Sequence, residues 1–101
     1  MDPERISDFN ISDVVQATAG RDQGKLFYVI AQEDAYLLLV NGKDRPLDRP
    51  KRKKCKHVQK VLRSETRVAD KLRAGDKVLN SELRRDLAFL AGQMQVNNLG
   101  G

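Results

Sequence analysis

The sequence predicts a mainly β domain, a small barrel of short strands followed by one or two short α-helices. Two observations predict it. Between residues 12 and 62, short apolar runs rich in β-branched and aromatic residues alternate with glycine-bearing or acidic turns. After Arg63 the apolar residues recur at helical spacing instead. The chain of 101 residues, 40% of them hydrophobic, suits one domain with a thin core.

The elements follow in order. Residues 1–11 are polar apart from Met1, Ile6, Phe9 and Ile11, and they are expected to form an arm that packs back on the core. Residues 13–18 read as a strand. Residues 19–24 give a polar turn with two glycines, and residues 25–31 give a second strand, so the pair reads as an antiparallel hairpin. Glu33 and Asp34 make the next turn. Residues 35–40 form a third strand, apolar on both faces as in a small closed barrel. Asn41-Gly42 is a strong turn signal. Pro46-Leu47-Asp48 is a weak strand candidate that Pro50 interrupts, and residues 57–62 make a last short strand. Four or five strands in about fifty residues fit an SH3-like barrel.

Past Arg63, Ser64 is placed to cap a helix that buries Val68, Ala69 and Leu72 and stops at Gly75. Asn80 or Ser81 caps a second helix, with Glu82 favourably set against its dipole. Leu83, Leu87, Leu90, Ala91 and Met94 form its apolar stripe. Residues 97–101 read as a disordered tail. The expected organisation is thus an arm (1–11), a barrel (12–62), a helical extension (63–96) and a tail (97–101).

Charge is concentrated rather than spread. Residues 45–63 carry nine basic side chains against Asp48 alone, a net +8, whereas the whole chain carries only +5. A local patch of this kind suggests a polyanionic partner. No apolar run is long enough to span a membrane, and Met1-Asp2-Pro3-Glu4-Arg5 does not resemble the start of a signal peptide. Cys55 is the only cysteine, so no internal disulfide forms; a lone thiol among lysines fits a reducing, cytoplasmic setting. Lys54 and Lys56 on either side should favour its thiolate.

Two segments together resemble a known family. Residues 13–29, with Gly20-Arg21-Asp22-Gln23-Gly24-Lys25 at their centre, resemble the KOW motif of ribosomal proteins and transcription elongation factors. Gly24 matches the motif's characteristic glycine, and Gly20, Asp22 and Lys25 match common companions. Gln23 stands where lysine is frequent, and Phe27 where a second glycine is frequent. The stretch Pro50-Lys51-Arg52-Lys53-Lys54-Cys55-Lys56-His57-Val58 resembles the basic segment of the archaeal and eukaryotic large-subunit ribosomal proteins of the "fourteen-e" type and of their small bacterial relatives. The two pieces keep the family's order and separation across residues 12–62. The resemblance implies an SH3-like barrel that binds RNA, often ribosomal RNA.

The residues point to the same chemistry without the resemblance. Backbone that approaches a phosphate closely needs no Cβ and often a positive φ, which glycine supplies at Gly20 and Gly24. Arg21 between them offers a planar, bidentate guanidinium, and Lys25 a point charge. Arg49, Lys51, Arg52, Lys53, Lys54 and Lys56 would supply most of the affinity. Five phosphate contacts would give a log–log salt slope of roughly −3.5 to −4.5. His57 suits either a donor to phosphate or base, or a plain strand end. Tyr28 and Tyr36 are the aromatics available for base stacking, and a place in the barrel core or rim explains both more simply.

RNA binding by a monomer, with no cofactor, metal or membrane, is therefore the leading expectation. The alternative is a protein-interaction module of the transcription or translation machinery, with the helix stripe over residues 81–94 as the docking face. A DNA-binding helix-turn-helix over residues 64–92 ranks lower, because little base-reading chemistry follows Arg84 and Arg85. An enzyme ranks last: there is no triad, no metal cluster and no Gly-x-x-x-x-Gly-Lys-Ser/Thr loop.

Overall fold

A computed structural model describes residues 9–100, with side chains described from residue 9 to residue 94. The arm expected at residues 1–11 lies largely outside the described residues. Five strands come first: β1 (Asp13–Ala17), β2 (Leu26–Glu33), β3 (Tyr36–Val40), β4 (Lys51–Lys54) and β5 (Val58–Arg63). A single 3-10 turn, Cys55–His57, separates the last two. Two helices follow, α1 (Arg67–Ala74) and α2 (Asn80–Gly100), and the last turn of α2 takes up residues 97–100 of the expected tail. None of the described helices is long and apolar enough to cross a membrane.

The strands make one antiparallel sheet in the order β4-β3-β2-β1-β5. Among the described residues no ladder closes β4 onto β5, so these two are the edges. Register shifts at Val14/Val15 and at Val29/Ala31 interrupt two of the ladders, and such bulges bend a sheet. The 3-10 turn carries the chain from one edge to the other. Its first residue, Cys55, donates its N–H to Ala35 O (2.8 Å), and the carbonyl of His57 accepts from Thr18 N (2.9 Å).

Both faces of the sheet are buried. Val15, Ala17, Phe27, Val29, Leu37 and Leu39 form one cluster with Cys55 and Val58, and Phe9 packs against it. Val14, Tyr28 and Val40 point the other way, into Val68 and Ala69 of α1 and Leu83, Leu87 and Leu90 of α2. This accounts for the two-sided apolar character of β3. Leu37 and Leu39 serve the first cluster, and Val40 serves the layer beneath the helices. Phe27 is wholly buried in the first cluster.

Several local expectations are corrected. Residues 46–48 are a turn, with Arg49 N donating to Pro46 O (3.0 Å), and not a strand. The strand is the basic run itself. An edge strand tolerates Lys and Arg because charge there discourages further pairing, and Pro50 just before it removes no ladder hydrogen bond. The cap of α1 is Thr66, whose Oγ1 accepts from Ala69 N (3.2 Å), and not Ser64. Gly75 ends α1 in the left-handed region, as its position implied. At α2, the Asn80 side chain accepts from Leu47 N (2.9 Å). Glu82 reaches back to Leu79 N (2.9 Å) and pairs with Lys71 (2.9 Å). These two contacts, the backbone one foremost, hold its carboxyl below the usual range.

A buried polar knot joins sheet to helices. The hydroxyl of Tyr28 hydrogen-bonds Asp86 Oδ2 and Ser64 Oγ (2.8 Å), and Thr66 Oγ1 donates to the same Asp86 oxygen (2.9 Å). The phenol has one proton. The carboxylate is acceptor-only and receives it, and the Ser64 hydroxyl donates to the phenolic oxygen. Burial first, and then the bond to Asp86, push the Tyr28 phenol up to about 12. Beside the knot, Arg73 donates to Ser12 Oγ (2.6 Å) and to Ser64 O (3.0 Å).

Candidate nucleic-acid interface

The glycine turn is a structured loop. Gly20 and Gly24 have φ of +81° and +91°, conformations that a residue with a Cβ adopts only under strain. Ala17 and the turn close on each other through Gly24 N→Ala17 O (2.8 Å) and Ala17 N→Lys25 O (3.0 Å). Inside the turn, Gln23 N donates to Gly20 O (3.2 Å) and Lys25 N to Asp22 O (2.9 Å).

Three anchors then fix the turn to distant parts of the chain. Thr18 N is bonded to His57 O. The buried carboxylate of Asp22 pairs with Arg45 (3.2 Å) and lies 3.6 Å from Lys25. Lys53 donates from its ammonium to Ala19 O (2.9 Å), and a Cβ placed on Gly20 would come within 3.3 Å of that nitrogen. The turn and the basic strand, 34 residues apart in sequence at this contact, thus touch directly.

The basic candidates fall into three groups. Lys53 is 91% buried, because its register partner Leu37 faces the inner cluster, and its charge lies beneath the turn. Lys25 is bound to Asp44 (2.6 Å), and that contact above all raises its ammonium pKa and holds the Asp44 carboxyl below its usual range. Arg52 lies over Tyr36, with its guanidinium carbon 3.8 Å from the ring centroid and Nε 3.6 Å from Glu33. Arg21, Arg49, Lys51, Lys54 and Lys56 have no carboxylate partner among the described residues, and all but the half-buried Lys51 are exposed. His57 is half-buried, and its backbone rather than its ring makes the recorded contact with the turn.

Two expectations change. Tyr28 is fully buried and bonded to Asp86, so it presents no face to a base, whereas Tyr36 is half-buried at the sheet edge. Cys55 is a core residue, and burial pushes its thiol up rather than down, despite the flanking lysines. Those lysines are exposed while the thiol points into the cluster, so sequence adjacency brought no charge to it.

Sequence reasoning missed Asp22 as the buried organiser of the turn. The signal was there: Asp22 is the only acid within the Gly20–Gly24 turn, and its register against Arg45 was the missing element. It also missed the Arg52–Tyr36 stack, which needs β4 to be recognised as a strand. Compared with protein-family models and with curated proteins, the sequence matches none of either.

Proposed function

We propose that this chain is an RNA-binding protein of KOW type, with an SH3-like barrel rolled from the bent five-stranded sheet, and that it grips the phosphates of structured RNA. Ribosomal RNA is the target that the resemblance of residues 12–62 implies. The observation that carries the reading is the Lys53–Ala19 contact at 2.9 Å. It joins the glycine turn to the basic strand, and Arg21 in the turn and Arg49, Lys51, Lys54 and Lys56 in the basic segment have no carboxylate partner among the described residues. Unpaired cations bind phosphate without first surrendering an internal partner, and each contact releases counterions from the RNA. Such contacts set position and affinity rather than sequence.

Two contacts support this reading over its rivals. Leu83, Leu87 and Leu90 of the α2 stripe pack into the core beneath the sheet, which supports a structural role for that part of the stripe. Arg84, which a DNA-reading helix would need free, donates to Gly42 O (2.6 Å).

Crosslinking in living cells with site mapping tests the proposal. Crosslinks from folded RNA to residues 18–25 and 51–57 are expected. Protein partners that survive nuclease treatment, with no RNA attached at those residues, would overturn it.

A further inference from the structure

We propose that Arg52, laid on Tyr36, is a stacking seat for one unpaired nucleobase of the bound RNA. The inference rests on the RNA-binding reading and adds to it a preference for unpaired nucleotides, which phosphate contacts alone do not supply.

The seat is built from the two strands at one edge of the sheet. Tyr36 pairs with Lys54 and Leu38 with Arg52, so all four side chains lie on one face, and Arg52 is diagonal to Tyr36. Lys51 and Lys53 lie on the opposite face with Leu37 and Leu39. The basic strand is therefore divided by the pleat into two functions.

The Arg52 guanidinium carbon lies over the Tyr36 ring, 3.8 Å from its centroid. Glu33 stands at its edge, 3.6 Å from Nε. A free arginine side chain loses considerable rotamer freedom on being held flat. Here the ring below and the carboxylate beside it have already restrained it, while 56% of the side chain remains open to solvent. Tyr36 covers the guanidinium from one side, and what remains exposed of the side chain offers a planar cation already held in place. Nucleobases that are splayed out of a helix stack on such planes, and paired bases within a duplex cannot reach them. Lys54, exposed and unpaired on the same face, is placed for the phosphate of the stacked nucleotide. An arginine held by neither ring nor carboxylate would add charge but no seat.

The test compares two RNAs of equal charge, a hairpin with an unpaired loop and a fully paired duplex, with 2-aminopurine in the loop reporting base stacking by fluorescence quenching. Arg52→Lys keeps the charge and removes the plane; Tyr36→Leu removes the ring and keeps an apolar side chain. The wild type is expected to prefer the loop and to quench the probe. Arg52→Lys is expected to lose about tenfold in loop affinity, within the range for one stacked base, with duplex affinity and salt slope unchanged. Tyr36→Leu should behave alike. If Arg52→Lys binds the loop as the wild type does and quenches the probe equally, while salt-dependent binding persists, the seat is wrong and the phosphate-binding reading stands. If the wild type binds neither RNA, both fall.

Discussion

Removing the Tyr28 hydroxyl probes the joint between sheet and helices. Tyr28→Phe keeps a fully buried ring in place and deletes the group that reaches Asp86 and Ser64. The Asp86 carboxylate keeps only Thr66 in the knot. A hydrogen bond to a charged group contributes about 1.5–3 kcal/mol, so a loss of about 2 kcal/mol is expected. For a domain of this size that is a fall of roughly 8–16 °C in Tm. The effect should depend on pH with a definite sign. The folded phenol titrates near 12, above its ordinary value of 10.0. Its contribution is therefore complete below pH 10 and is lost as pH rises toward 12, at up to about 1.4 kcal/mol per unit. Thermal or urea unfolding of both proteins at pH 7 and at intervals above pH 10 reads this directly. The gap between wild type and Tyr28→Phe should narrow over that window. A gap below about 0.5 kcal/mol at pH 7, or one that widens with pH, would refute the assignment of the knot.

Other expectations concern the turns, the buried lysine and the thiol. Gly42→Ala should destabilise the fold by more than about 2 kcal/mol, because a steric clash adds to the strain. Its φ is +77° and the new Cβ would collide with the carbonyl oxygen of Asn80. Gly24→Ala, with open space around it, should cost only the strain, about 1–2 kcal/mol; equal Tm losses for the two would contradict this reading. Lys53→Met should leave the Ala19 carbonyl without its ammonium, costing about 1 kcal/mol and speeding amide exchange at Gln23 and Gly24. Unchanged exchange there would show that the lysine does not hold the turn. Cys55 in the folded protein should react with a disulfide reagent at least about tenfold more slowly than a free cysteine; reaction at the free rate would place the thiol outside the core.

The parts of the fold that were legible in the sequence are those fixed by local chemistry. Gly20 and Gly24 announced a hairpin because the turn needs positive φ, and Gly75 announced the end of a helix for the same reason. The helix stripes were legible because burial on one face imposes a periodicity. What stayed hidden depended on pairing at a distance. Residues 51–54 have poor strand propensity, and only their ladder with β3 makes them a strand. Pairing then sorted a uniform-looking basic run into a buried tie at Lys53, a cation over the Tyr36 ring at Arg52 and, at Lys51 and Lys54, cations with no carboxylate partner among the described residues. Asp86 carried no individual signal and Ser64 only a misleading capping one, since the knot exists only where residues 28, 64, 66 and 86 converge.

The central claim is that unpaired cations of the glycine turn and the basic segment hold RNA phosphates, and a salt titration of affinity for folded RNA tests it most directly. Contacts from Arg21, Arg49, Lys51, Lys54 and Lys56 predict a log–log slope of roughly −3.5 to −4.5, and replacing Arg21, Lys51, Lys54 and Lys56 with alanine should flatten it by about 3. Affinity that holds constant between about 50 and 300 mM salt, or a slope the fourfold variant leaves unchanged, would contradict it.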